Sequence, residues 1–165
     1  MVGDSLSRGT EAPICRPGRE AHEVCCLLGA EVRNVTERVA QHVKSTDDYL
    51  LLLFAVGTND TASQNLGGIQ EDFKGLGMKA KIFGAKVIFS SILPVGGRGS
   101  ARNRQITSVN SCILGWCRHE DFDFNDNGTF FDDCNLSERD WIHLSRRSKG
   151  TFGSSLDNLV WRVLN

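Results

Sequence analysis

The chain has 165 residues, 40% of them hydrophobic and 24% charged, which suits one domain, residues 1–165, with a real hydrophobic core. Its 19 basic and 20 acidic side chains nearly cancel, which argues against a domain built to grip nucleic acid, since such domains carry a basic excess. The longest apolar run, Tyr49 to Val56, is far short of the roughly 20 residues that cross a bilayer. No charged leader and apolar stretch open the chain, so an intracellular protein without a signal peptide is expected.

In chain order, Met1-Val2 before Gly3 is the stub of a first strand. Val24 to Leu28 is a short apolar run that stops at Gly29 and predicts a second strand. Val32, Val35, Val39 and Val43 recur at helical spacing and predict a helix ending before Ser45-Thr46-Asp47-Asp48. Tyr49 to Val56 shows no alternation, as expected of a strand buried on both faces. Ile69, Phe73, Leu76, Ala80 and Phe83 form the next helical stripe, and Lys86 to Ile92 the next strand, closed by Pro94 and Gly96-Gly97-Arg98-Gly99. Ile106, Val109, Ile113 and Trp116 mark a third helix, a weak strand follows near Phe122 to Phe124, and a last helix carries Phe152, Leu156, Leu159, Val160 and Val163. Apolar strands separated by amphipathic helices predict an α/β fold with a parallel sheet covered on both faces. Loops after the carboxyl ends of such strands gather at one edge, where ligands bind. Ser5, Gly29 and Asn59 each follow a predicted strand and are expected to meet there.

The six cysteines form no CxxC pair, and the adjacent Cys25 and Cys26 cannot easily share one metal or one ordinary disulfide. No metal site is expected, and Cys112 and Cys117 read as small buried hydrophobes of a helix. The basic clusters Arg98/Arg102/Arg104 and Arg146/Arg147/Lys149 read as solvated helix ends or loops. Four Asn-x-Ser/Thr sequons, at Asn34, Asn59, Asn127 and Asn135, carry little meaning without a secretion signal.

Three motifs carry chemistry: Gly3-Asp4-Ser5-Leu6, Gly57-Thr58-Asn59-Asp60 and Asp140-Trp141-Ile142-His143. Ser5 is a weak nucleophile unless a base takes its proton during attack. His143 is the best candidate base, because Asp140, three residues earlier, can accept a hydrogen bond from the imidazole and stabilise the imidazolium. His22, His42 and His119 have no such partner at comparable spacing. A tetrahedral intermediate places charge on the former carbonyl oxygen, which the Asn59 amide and the backbone N–H groups of Ser5 and Gly29 could receive. Losing one such donor typically costs about 2.7–4 kcal/mol of transition-state stabilisation. Asp4, Gly57 and Asp60 support these motifs, Asp60 by bracing its loop through backbone hydrogen bonds.

These residues resemble the SGNH hydrolase superfamily, the GDSL esterases and lipases, which is named for a serine, a glycine, an asparagine and a histidine in four blocks. Ser5 matches the first block, Gly29 the second, Gly57 and Asn59 the third, and Asp140 with His143 the last. The resemblance covers nearly the whole chain. It implies a flavodoxin-like three-layer α/β/α sandwich and hydrolysis of a small or lipid-like carboxylic ester by a Ser5-His143-Asp140 triad, with Ser5, Gly29 and Asn59 as oxyanion hole and no cofactor. Arg8-Gly-Thr-Glu-Ala-Pro-Ile-Cys-Arg16, Phe89-Ser-Ser-Ile-Leu-Pro94 and Gly115-Trp-Cys-Arg118 are similar to esterase-type domains encoded by vertebrate LINE-type retroelements. The alternatives are a non-catalytic interaction module of a retroelement-derived protein, or a truncated inactive copy.

The sequence departs from the family pattern in two places. Trp141 stands where the family often has glycine, and only Met1-Val2 precede the Gly-Asp-Ser, so the first strand is expected to be largely missing. Three inward aliphatic side chains lost from an interior strand would forfeit roughly 5–9 kcal/mol of burial, and a chain of low stability is the expectation.

Overall fold

The computed structural model describes residues 1–5, 8, 10, 23–43, 51–95, 101–127 and 144–164. Five strands and five helices occupy them: β1 (Val2–Gly3), β2 (Cys25–Cys26), α1 (Val32–Arg38), β3 (Leu51–Ala55), α2 (Asp60–Ser63), α3 (Leu66–Ile82), β4 (Lys86–Ser90), α4 (Ala101–Glu120), β5 (Asp123–Asn125) and α5 (Arg146–Leu164). The sheet order is β2-β1-β3-β4-β5, and every pairing is parallel. This is the doubly wound arrangement, in which the strand order reverses beside β1 and opens a crevice at the carboxyl edge.

Period two along the strands divides the core into two layers. Val2, Leu52, Phe54, Val56, Val87 and Phe89 face one side, where they pack with Val32 and Val35 of α1, Ile69, Phe73 and Leu76 of α3, and Ile106, Val109 and Ile113 of α4. Leu53, Ala55 and Ile88 face the other side and pack with Leu144 and with Phe152 and Leu156 of α5. Phe89 is the hub of the first layer, with the rings of Phe54, Phe73, Trp116 and Phe122 centred 5.5, 5.7, 5.7 and 5.9 Å away.

Element lengths differ from the apolar runs for local reasons. β2 is shorter than Val24–Leu28 because its partner β1 spans two residues, in the register Val2↔Cys25 and Gly3↔Cys26. The valine stripe is helical only to Arg38, continues as a 3₁₀ turn over Val39–Gln41, and still buries Val39 completely. β4 stops at Ser90 because the Asn110 amide takes over the next backbone groups, accepting from Ile92 N–H and donating to Ile92 C=O, both at 2.9 Å. α3 begins where the Asn65 side chain accepts from Gly68 N–H at 2.9 Å, an ordinary N-cap. Cys112 corrects the sequence reading: it is exposed, one position off the buried stripe, while Cys117 is fully buried and its thiol is pushed up to about 12 by burial.

Candidate active site

β2, β1 and β3 are neighbours, so the loops that leave their carboxyl ends lie side by side. Asp4 continues the ladder by donating its N–H to Ala55 C=O at 3.1 Å. Its side chain, 1% exposed, accepts from Thr58 N–H at 3.4 Å. Ser5 follows, half-buried, its carbonyl accepting from Arg8 N–H at 3.4 Å. Cys26, at the end of β2, donates its thiol to the Asp4 carbonyl at 3.2 Å. The residue before Ser5 is thus tied to both flanking strands.

The β3–α2 loop turns at Gly57, whose φ of +114° suits glycine. Asn59, at the start of α2, donates Nδ2–H to Ala30 C=O at 2.9 Å. Ala30 follows Gly29, which turns the β2–α1 loop at φ +69°. An amide nitrogen carries two hydrogens, so this bond orients the Asn59 side chain and leaves a second N–H for a ligand. The structure therefore gathers Asp4-Ser5, Gly29-Ala30 and Thr58-Asn59, from three loops, at one edge of the sheet.

Asp60 is fully buried and braces a different element. Its two carboxylate oxygens accept from Val32 N–H, the first of α1, at 3.1 and 3.2 Å, and Oδ1 also accepts from Gln64 Nε2 at 3.2 Å. Burial pushes its carboxyl up from 3.8 to about 6, against the opposing Val32 N–H bond and with further upward push from Glu31 and Asp72. A folded-state pKa above the unfolded value means that the folded protein holds the proton more tightly. The contribution to stability is then fully present below about pH 4 and is lost as pH rises through 6. Removing the charge in Asp60→Asn should reverse this, so the stability of the variant relative to wild type is expected to rise by about 2–3 kcal/mol between pH 4 and pH 7. Urea unfolding of both proteins across that range checks it; parallel curves would assign Asp60 an ordinary pKa.

Asp140, Trp141 and His143 lie outside the described residues. Leu144, directly after His143, is 5% exposed and belongs to the core layer that contains Ala55 and Leu93. Ala55 pairs with Gly3, next to Asp4 and Ser5. Asn127, also buried, receives Ser155 Oγ–H at 3.0 Å, donates Nδ2–H to Ser90 Oγ at 3.0 Å and backbone N–H to Ser91 Oγ at 2.9 Å. It ties the chain leaving β5 to both β4 and α5.

One sequence reading needs correction: Arg102 is not merely solvated, since its guanidinium donates to the Thr58 carbonyl and to Thr61 Oγ1. His42 is half-buried, with Nε2 3.3 Å from Cys25 Sγ and Nδ1 3.9 Å from Glu23 Oε1. Burial, then the Glu23 charge, push the Cys25 thiol up, so this is a packed polar contact and not an activated nucleophile. Both contacts join residues distant in sequence, which short-range spacing does not reveal. Among the described residues no three His, Cys, Asp or Glu side chains are grouped to hold a metal ion, and no helix is long and apolar enough to cross a membrane.

No protein-family model and no curated protein sequence matches the chain. Solved structures do match. The native aryl esterase of M. smegmatis superposes with a TM-score of 0.78 at 15% identity, over 98% of this chain and 96% of that one. A carbohydrate acetylesterase family member from Sinorhizobium meliloti gives 0.78 at 15% identity, over 99% and 98%. A GDSL-like lipase from Bacteroides thetaiotaomicron gives 0.73 at 17% identity, over 98% and 84%. The fold is that of the GDSL-type, or SGNH, hydrolases. The two esterases are matched over 96% or more of both chains, so the shared fold takes in the five strands and the helices on both faces among the described residues.

Proposed function

We propose that the chain is a serine hydrolase of carboxylic esters, with Ser5 as nucleophile, His143 as general base and then acid, and Asp140 as the carboxylate that orients the imidazole. Ser5 Oγ attacks the ester carbonyl while His143 takes its proton. The tetrahedral oxyanion is received by the N–H groups of Ser5 and Gly29 and by the Asn59 amide. Collapse expels the alcohol, protonated by His143, and leaves an acyl-enzyme. Water, deprotonated by His143, then releases the acid and restores Ser5. This chemistry calls on no metal or organic cofactor, and the substrate class is a small or lipid-like acyl or acetyl ester.

The observation that carries this reading is the bond from Asn59 Nδ2 to Ala30 C=O at 2.9 Å, which joins the third-block asparagine to the loop of the second-block glycine. The Asp4–Thr58 bond supports it by joining that asparagine's neighbour to the nucleophile's neighbour. The test is to incubate the protein with a fluorophosphonate and map the adduct by mass spectrometry. A single adduct on Ser5, formed alongside turnover of p-nitrophenyl acetate, is expected; an adduct elsewhere, or none, would discard the assignment.

A further inference from the structure

Arg102 sits in the first turn of α4, and its two hydrogen bonds run to the loop that carries Asn59. Nη2 donates to the Thr58 carbonyl at 2.6 Å, and Nε donates to Thr61 Oγ1 at 3.2 Å. The Thr61 hydroxyl itself donates to the same carbonyl at 2.8 Å. On its other side Thr58 donates its N–H to the Asp4 carboxylate. One residue is therefore held between a carboxylate next to Ser5 and a guanidinium on α4. A charged donor at this distance makes one of the stronger hydrogen bonds available to a backbone carbonyl, and the rigid guanidinium fork loses little entropy in holding two acceptors at once. One turn further along α4, Gln105 Nε2 donates to the Gln64 carbonyl at 2.7 Å. Helix α4 thus grips the Thr58–Gln64 unit near both ends, and the grip at the Asn59 end is the charged one.

We propose that Arg102 is a positioning residue for the oxyanion site: by fixing the Thr58 carbonyl it fixes the Thr58–Asn59 peptide, and with it the direction of the Asn59 amide. The inference rests on the esterase reading above. Asp4 holds the Gly57–Thr58 peptide through the Thr58 N–H, and Arg102 holds the Thr58–Asn59 peptide through the Thr58 carbonyl, so the peptide units on both sides of the Thr58 Cα are tied to charged side chains. Without the guanidinium, Thr61 Oγ1 alone would hold that carbonyl, and a small displacement of a catalytic donor is enough to lose rate, on the order of 10²-fold for about 1 Å.

The experiment compares Arg102→Gln, Arg102→Lys and Arg102→Ala with Gln105→Ala, which loses a similar backbone contact on the same helix away from Asn59. For each, kcat and KM on p-nitrophenyl acetate, the rate of Ser5 labelling by a fluorophosphonate, and Tm are measured. Arg102→Gln and Arg102→Ala are expected to lower kcat and the labelling rate by about 10- to 100-fold with KM within about threefold. Arg102→Lys, which keeps the charge and one donor, should fall between them and wild type, and added guanidinium ion should restore part of the kcat of Arg102→Ala. Gln105→Ala should lower Tm and leave kcat unchanged. An Arg102→Gln protein with wild-type kcat, or a rate loss that merely follows Tm across all four variants, would overturn the proposal. Should Arg102→Gln fail to fold, Arg102→Lys decides: an unchanged kcat there, with no guanidinium response in Arg102→Ala, has the same consequence. A wild-type protein neither labelled nor active removes the esterase reading and this inference with it, whereas normal labelling of both wild type and Arg102→Gln removes the inference alone.

Discussion

Ser5→Ala is expected to reduce ester turnover by a factor on the order of 10⁴–10⁶ in kcat while leaving the fold intact. The loss is large because the proposed nucleophile, base and orienting carboxylate would act as a unit, so removing one disables the others. What remains is the acceleration that the oxyanion donors and substrate binding supply without a covalent intermediate. The effect on stability should be small. Ser5 is half-buried in a loop, outside both core layers, and substitutions away from core, caps and buried networks stay within about 0.5 kcal/mol. Steady-state kinetics beside urea unfolding of the same preparation separate the two quantities. A variant that keeps a tenth of the wild-type rate would move the nucleophile to another side chain, and one that loses activity only by unfolding would make Ser5 structural.

The contrast between what the sequence conveys and what it hides is a contrast between local and tertiary causes. Val32-Val35-Val39 and Ile69-Phe73-Leu76-Ala80 announce helices because burial of one face repeats every 3.6 residues, and all of these residues are buried. Tyr49 to Val56 announces a central strand because both its faces meet helices. Strand alternation then places Ser5, Gly29 and Asn59 at carboxyl ends, and adjacency of β2, β1 and β3 follows from the doubly wound order. Arg102 and Asn127 were not legible in this way. An arginine among Arg98, Arg102 and Arg104 looks like a solvated helix start until its acceptor, Thr58, is seen across the structure. Asn127 reads as a sequon, yet its amide is buried among Ser90 and Ser155, and no spacing in the chain signals a network that spans three elements. His42 meets Cys25 for the same tertiary reason. The residues proposed to carry chemistry stand in short sequence motifs, whereas residues that hold the described loops in place are recruited from wherever the fold brings a donor.

Gly57→Ala is expected to destabilise the protein by about 2–6 kcal/mol and to lower kcat at the same time, from two separable causes. The backbone at Gly57 has φ +114°, a conformation that L side chains rarely adopt, and strain of this kind costs about 1–3 kcal/mol. A Cβ at this position would also lie 2.7 Å from Ile92 Cδ1, 2.9 Å from Ile92 Cγ1 and 3.1 Å from Phe73 Cζ. Ile92 has little freedom to retreat, because its N–H and C=O are both held by the Asn110 amide and its side chain is 2% exposed. Overpacking at such a site adds about 1–3 kcal/mol. Relief by rotation of the loop is the alternative, but Thr58 and Asn59 follow directly, so any shift that saves packing displaces the proposed oxyanion donor. A double-mutant cycle distinguishes the contributions. Ile92→Ala opens space for the new methyl, so Gly57→Ala/Ile92→Ala should be more stable than the sum of the single changes by about 1–3 kcal/mol, while the backbone strain persists and kcat stays low. Strict additivity would place the whole penalty in the backbone, and full recovery of stability in the double variant would show that the positive φ exacts none.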